Sequence, residues 1–128
     1  MRAQYHFRQS PDGLRAWNAR RLVDLTKSLP RERVRLTAIR ELDEPYWGNE
    51  GMKQLTCREV VDHARLINES DLAYPVILSS DGRVMDGMHR ICKALLMGLD
   101  EIEAVRFRHD PEPDYIDVNP DDLPYDDD

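Results

Sequence analysis

Residues 84–90, Val-Met-Asp-Gly-Met-His-Arg, carry the residue types in this 128-residue chain best suited to chemistry. They follow a short apolar run, Pro75-Val76-Ile77-Leu78, and an Asp81-Gly82 turn, and they lead into a helical pattern that ends at Gly98. A glycine between a strand and a helix lets a ligand approach the backbone. The first turn of the helix then offers unpaired N–H groups at the positive end of its dipole. Such a place binds anions, phosphate above all. The N–H groups around Met88 and His89, with the Arg90 guanidinium, could hold the oxygens of a di- or triphosphate. His89 could donate to a bridging or terminal oxygen. Asp86 leaves two readings open, a helix cap or a ligand to a magnesium ion. Arg90 leaves two as well, a phosphate contact or a salt bridge that only pins the helix.

The elements that must position these residues follow from pattern and punctuation. Pro11 to Leu29 is expected as a helix: Leu14, Trp17, Leu22, Leu25 and Leu29 fall on one stripe, Ser10 stands as N-cap and Pro30 as the stop. Arg15, Arg20, Arg21 and Lys27 would then form a basic face, either solvated or touching phosphates. Val34 to Ile39 alternates as a strand. A long loop from Glu41 to Gly51 follows, rich in acids and carrying Tyr46 and Trp47 beside glycines. It is either a functional loop or a lid anchored by Trp47. Thr56 and Glu59 make a capping box for a helix to about Glu69, with Val60, Ala64 and Ile67 on its buried face and His63 one place off it. No His or Cys stands at helical spacing from His63 on that helix, so a metal role is not expected of it. Pro75 opens a strand, Ser80 to Arg83 turn the chain, and Val84-Met85 form the next strand. Met88, Ile91, Cys92, Leu95, Leu96 and Leu99 are the expected buried stripe of the helix after Gly87, and Gly98 suits its C-terminal cap. Ile102 to Phe107 alternates as a last strand.

Composition sets outer limits. The length suits one domain with a real core. No run of about 20 apolar residues is present, so no segment is expected to cross a membrane, and the N-terminal residues read as cytosolic. Cys57 and Cys92 show no ligand spacing and are expected to be buried reduced thiols, with a disulfide or a reactive thiol as the alternatives. The net charge is −7, but nine of the 25 acidic residues lie from Asp110 to Asp128 with no Lys or Arg among them. The remaining 16 acids face 18 Lys and Arg, so residues 1–109 come to about +2. A near-neutral body neither demands nor excludes nucleic acid. The tail leaves three readings open: a solvated segment, an internal phosphate mimic folded on the helix start near Met88 and Arg90, or a docking segment anchored by Tyr115, Ile116, Val118, Leu123 and Tyr125.

From about Val34 to Phe107 the order of elements, and the stretch Asp86-Gly87-Met88-His89-Arg90, resemble the ParB/sulfiredoxin superfamily. The resemblance implies a small α/β (α+β) domain with a mixed sheet, core about 34–107, extended by the N-terminal helix at about 11–29 and the acidic tail 110–128. It implies that residues 86–90 are a nucleotide-phosphate site. Members bind CTP and DNA as partition proteins, use ATP to repair an oxidised cysteine as sulfiredoxins, phosphorylate free serine, or are described as nucleases. Sulfiredoxins carry a cysteine just before the His-Arg pair, where this chain has Met88. Partition proteins carry a helix-turn-helix domain after this core, where this chain has the acidic tail. Both departures point away from those two activities.

The expected function is therefore binding of ATP or ADP with Mg2+ at Asp86, Gly87, Met88, His89 and Arg90, with Asp86 as the metal ligand. Phosphotransfer to a hydroxyl is the reaction this could serve. It needs a carboxylate base near the acceptor, as the similar kinase has in the loop after its first strand. Here Glu41, Asp43 and Glu44 occupy that region, and His89 is the other candidate catalytic group. The alternatives are a non-enzymatic nucleotide-sensing module with a DNA or protein partner, and a nuclease, which would need acids from the 41–44 loop to converge with Asp86 on a metal.

Overall fold

The computed structural model describes residues 4–47 and 54–125. The chain forms a small α+β fold with two sheets. Strand β1 (Tyr5–Ser10) pairs antiparallel with β2 (Gly13–Asn18), and helix α1 (Ala19–Thr26) follows directly. Strand β3 (Glu32–Arg35) gives way to two short 3-10 turns, Leu36–Ala38 and Arg40–Asp43. Helix α2 (Cys57–Glu69), strands β4 (Val76–Leu78) and β5 (Val84–Asp86), helix α3 (Met88–Leu96) and strand β6 (Glu101–Arg106) complete the core. A short β7 (Tyr115–Ile116) lies in the tail.

The four-stranded sheet runs β3-β6-β4-β5, with β4 parallel to β6 and the other pairs antiparallel. Its two faces bury different residues. Val76, Leu78, Val84, Ile102 and Ala104 pack with Met88, Ile91 and Ala94 of α3 on one side. Ile77, Met85 and Val105 pack with Trp17, Leu22 and Phe107 on the other. Cover on both faces is why Val76-Ile77-Leu78 is an unbroken apolar run rather than an alternating one. A strand with one wet face would alternate.

The N-terminal expectation is corrected. Residues 5–18 form a hairpin, not the first half of a helix, and the helix is confined to Ala19–Thr26. The physical reason is the turn Pro11-Asp12-Gly13, whose proline presets φ and whose glycine takes φ +115. Ser10 does not cap a helix; its hydroxyl donates to the Gly13 carbonyl across the turn at 2.7 Å. Asn18 is the true N-cap, its side-chain oxygen accepting from the Arg20 and Arg21 N–H groups. The expected strand 34–39 is also shorter, because the chain coils into 3-10 turns at Leu36 while still burying Leu36 and Ile39.

Two burial expectations fail for one reason. Helix α2 forms over the expected residues with both halves of its capping box made, yet none of its residues is fully buried. Val60 and Ala64 are exposed and Ile67 is only half-buried, and Leu95, Leu96 and Leu99, at and just beyond the far end of α3, are exposed too. Among the core elements α2 lies against α3, so only the inward edge of each helix is covered. The turn of α3 nearest the sheet, Met88, Ile91 and Ala94, is buried.

The tail is a packed element. Residues 115–116 extend the hairpin as a third strand, Arg15 opposite Ile116 and Ala16 opposite Tyr115. The Trp17 indole N–H donates to the Pro111 carbonyl at 2.8 Å. Asp114 accepts from the Asn18 N–H at 2.7 Å and pairs with Arg21, and Asp110 accepts from the Ser80 N–H at 2.8 Å. Leu123 is buried, 5 % exposed. The basic face expected of the N-terminal helix is thus shared out: Arg21 holds the tail, Arg15 meets Asp12 and Lys27 meets Asp24. The packing predicts a direct outcome. Leu123→Ala should cost roughly 2–4 kcal/mol of stability, as a buried leucine does, measured by urea unfolding. A tail that merely trails in solvent would show no change.

Candidate functional site

Gly87 is the hinge of the site. It takes φ +107 as N-cap of α3, a left-handed conformation that L side chains rarely adopt, and no side chain caps the helix there. A Cβ at this position would stand 2.7 Å from Val76 Cγ1 and 2.9 Å from Arg90 Nη2. The strand-to-helix turn therefore needs glycine for both its backbone and its packing. The first N–H groups of α3 have no side-chain cap, and the residues that carry them line two cavities.

One cavity, about 300 Å3, is lined by Gln4, Tyr5, His6 and Phe7 of the hairpin, by Tyr46 and Trp47 of the loop, and by residues 85–89. The other, about 370 Å3, takes in Gln4, together with Leu66 and Glu69 of α2, the Ser70 that follows α2, and residues 86–90. Asp86, Gly87, Met88 and His89 line both. The five expected binding residues are thus brought together, though not all in the expected roles. Met88 is buried in the core, 6 % exposed, so it can offer a ligand little beyond its backbone N–H. Asp86 does not cap the helix. Its Oδ2 accepts from Arg90 Nη2 at 2.9 Å, while Arg90 Nη1 donates to the Pro75 carbonyl at 2.9 Å. Arg90 therefore clasps the turn: this is the salt-bridge reading, made at the rim of the 370 Å3 cavity. Burial pushes the Asp86 carboxyl above its usual range, and Arg90 works against that push.

The loop carboxylates are largely committed elsewhere. Glu41 is buried, 4 % exposed, with Oε2 accepting from the Val84 N–H at 2.8 Å and facing Arg83 Nε at 3.2 Å. Glu44 takes the other edge of the same guanidinium in a bidentate pair at 2.7 and 3.1 Å, which holds its carboxyl below the usual range. Asp43 is exposed and lines none of these cavities. Glu41 does reach a smaller cavity of about 120 Å3, with His6, Arg8 and Tyr46. Its Oε1 is buried there without a partner, as are His6 Nε2 and Arg8 Nη2. His6, Phe7 and Tyr46 form a wall common to this cavity and the 300 Å3 one. Burial, then the charges of Glu41 and Asp86, push the Tyr46 hydroxyl up to about 12.

His89 sits in an aromatic stack that sequence reasoning did not find. Its ring lies 4.7 Å from that of Trp47, and the His63 ring of α2 lies 4.2 Å from the same indole. His63 Nδ1 and His89 Nε2 are 2.8 Å apart. Burial, then the neighbouring His63, hold His89 below the usual imidazole range. The signal for Trp47 was present, an aromatic in a loop with nothing local to cover. For His63 the position one place off the apolar face was the only hint. Residues 48–53, the rest of that loop, lie outside the described residues.

Among the described residues no three His, Cys, Asp or Glu gather to hold a metal. Asp86 has Oδ1 to offer a cation while Arg90 keeps Oδ2. That fits magnesium arriving with phosphate oxygens, not a cage built by the protein. Both cysteines are free thiols, but neither is fully buried as expected: Cys57 is exposed and Cys92 half-buried, and burial raises the Cys92 thiol. Comparison of the chain with protein-family models, with curated proteins and with solved structures returns no match.

Two outcomes follow from this geometry. Gly87→Ala should destabilise the fold by roughly 1–3 kcal/mol, the cost of a strained non-glycine φ plus the contact with Val76, measured by denaturant unfolding. His6 gives a pH dependence. Its folded-state pKa is lowered from 6.5 to about 4, by burial first and the Arg8 charge second. The unfolded chain therefore binds a proton that the folded chain refuses, so stability is full above about 6.5 and falls as the pH drops toward about 4. The loss assignable to His6 should be about 3 kcal/mol, read as the difference in acid sensitivity between the native chain and His6→Gln. Parallel curves for the two proteins would contradict it.

Proposed function

We propose that this chain is a nucleotide-binding domain of the ParB/sulfiredoxin type, holding the phosphates of ATP or ADP, with Mg2+, at the start of α3. One observation carries the reading: an uncapped helix start behind a left-handed glycine, opening onto two cavities large enough for the two ends of a ligand. The N–H groups of Met88 and His89 would take phosphate oxygens. Asp86 Oδ1 would take the magnesium ion that the phosphates bring. When bound, magnesium would neutralise phosphate charge.

Phosphotransfer to a hydroxyl is the reaction this site would serve. The ion pairs of Glu41 and Glu44 with Arg83 make His89 the stronger candidate for handling the acceptor's proton. The same ion pairs support a second reading, a nucleotide-sensing module that binds without turnover and passes the signal to a DNA or protein partner. They weigh against a nuclease, whose metal would need those carboxylates free. No helix among the described residues is long and apolar enough to cross a membrane, and two free thiols suit a reducing, cytoplasmic setting.

Titration calorimetry with ATP and ADP, with and without magnesium, tests the reading. Binding should be tighter with magnesium and should fall at least tenfold in Gly87→Ala. At about 100 times its dissociation constant the nucleotide should add roughly 2.7 kcal/mol to stability. Binding of CTP or DNA in place of ATP and ADP would move the protein to the sensing alternative. No heat and no stabilisation by any nucleotide at about 1 mM would overturn the assignment.

A further inference from the structure

His63 touches none of the three cavities, yet its side chain is hydrogen-bonded to His89, whose imidazole lines two of them. Trp47 fixes the geometry of that contact. Both imidazoles lie on the indole, His63 at 26° and His89 at 19° to its plane, and they are 25° from each other. The two rings therefore sit side by side in nearly one plane. That is the arrangement in which an N–H of one ring points along the lone pair of the next.

At 2.8 Å the two facing nitrogens must share one proton. If His63 donated from Nδ1, His89 would accept at Nε2, and each ring would be held in its Nδ1–H form. If His89 donates from Nε2, each ring is in the Nε2–H form, which neutral imidazole prefers. The second arrangement costs neither ring its favoured tautomer. Burial and His63 both disfavour the imidazolium of His89, so the neutral form of His89 is favoured.

We infer that His63 is a positioning residue for His89: it accepts the Nε2–H of His89 and so leaves the Nδ1 lone pair of His89 as the proton acceptor of the site. This rests on the nucleotide-site reading for its purpose, but not for its geometry. The consequence is a constraint on the ligand. Ionised phosphate oxygens belong on the N–H groups of the α3 start. What meets His89 Nδ1 must bring a proton of its own, as a hydroxyl or a monoprotonated phosphate does. When a bound hydroxyl gives its proton to Nδ1, its oxygen keeps the electron pair, and the imidazolium keeps its Nε2–H on His63. His63 thus does for His89 what an orienting carboxylate does for a histidine base elsewhere.

The test reads tautomers directly, without ligand. Imidazole nitrogen NMR of the native chain at about pH 8, above the ordinary imidazole range, should show His89 protonated at Nε2 and bare at Nδ1. It should also show His63 bare at Nδ1, with a coupling across the N–H···N bond. His63→Phe keeps a ring on Trp47 but offers no acceptor, so the Nδ1–H form of His89, undetectable in the native chain, should appear. His63→Asn, whose side-chain oxygen can stand where Nδ1 stood, should abolish it again. An unfolding midpoint for each variant confirms that it is folded, and the native spectrum decides the bond's direction even if a variant is not. A proton on His63 Nδ1, or a His89 spectrum unchanged in a folded His63→Phe, overturns the inference. A failure to bind ATP or ADP leaves these resonances where they are, so the two readings fail separately.

Discussion

The candidate site depends on the chain reversing direction between β5 and α3 within one residue. Gly87 makes that possible, but a lone glycine would leave the turn loose. It is held by Arg90, one turn into the helix, which reaches back to Asp86 on the strand behind it and to the carbonyl of Pro75 on the neighbouring segment. The i,i+4 ion pair spans the turn, and the Pro75 contact ties it to the start of β4. Both partners of the pair are largely covered, at 17 % and 26 % exposure, so the interaction is less screened than a surface pair would be. The helix start is thus braced on both sides of the turn. Under the proposed reading, donors held in place this way would bind an anion without rearrangement.

A second clasp sets the other wall. Arg83, just after the turn between β4 and β5, holds Glu41 on one nitrogen and Glu44 on two others. Glu41 also takes the Val84 N–H, so its carboxylate ties the 3-10 turn to the sheet at the point where β5 begins. This fixes the loop that delivers Tyr46 and Trp47 over the α3 start. The acids of that loop look, in the sequence, like candidates for catalysis. In the fold Glu41 and Glu44 serve as anchors, and the aromatics they position face the cavity.

What the sequence made legible was local. The Thr56-Glu59 capping box, the strand opened by Pro75, the turn at Gly82, the helix start at Gly87 and its end near Gly98 each depend on a few adjacent residues, and each forms where expected. What it hid was set by partners far along the chain. The stripe Leu14, Trp17, Leu22, Leu25, Leu29 has helical spacing, but the Pro11-Asp12-Gly13 turn overrides it and the tail supplies the third strand that stabilises the hairpin. A two-stranded ribbon would be marginal alone. The helix faces were misjudged because apolar periodicity says which side a helix could bury, not whether a neighbour is there to bury it. His63 and His89 are 26 residues apart, and nothing in the spacing of either helix announces that Trp47 brings them together.

The acidic tail shows how charge can mislead when read without packing. Nine acids after a near-neutral body suggest repulsion from anions, or mimicry of them at the helix start. Yet Asp114 and Asp110 each accept a backbone N–H, Asp114 also meets Arg21, and Tyr115-Ile116 completes a sheet. These are short-range, directional contacts that neutralise or satisfy individual carboxylates on the hairpin side of the molecule. The hairpin in turn supplies Gln4, Tyr5, His6 and Phe7 to the cavity beside Gly87. The tail therefore bears on the site through the strands it braces: β7 holds β2, β2 holds β1, and β1 forms the wall opposite His89.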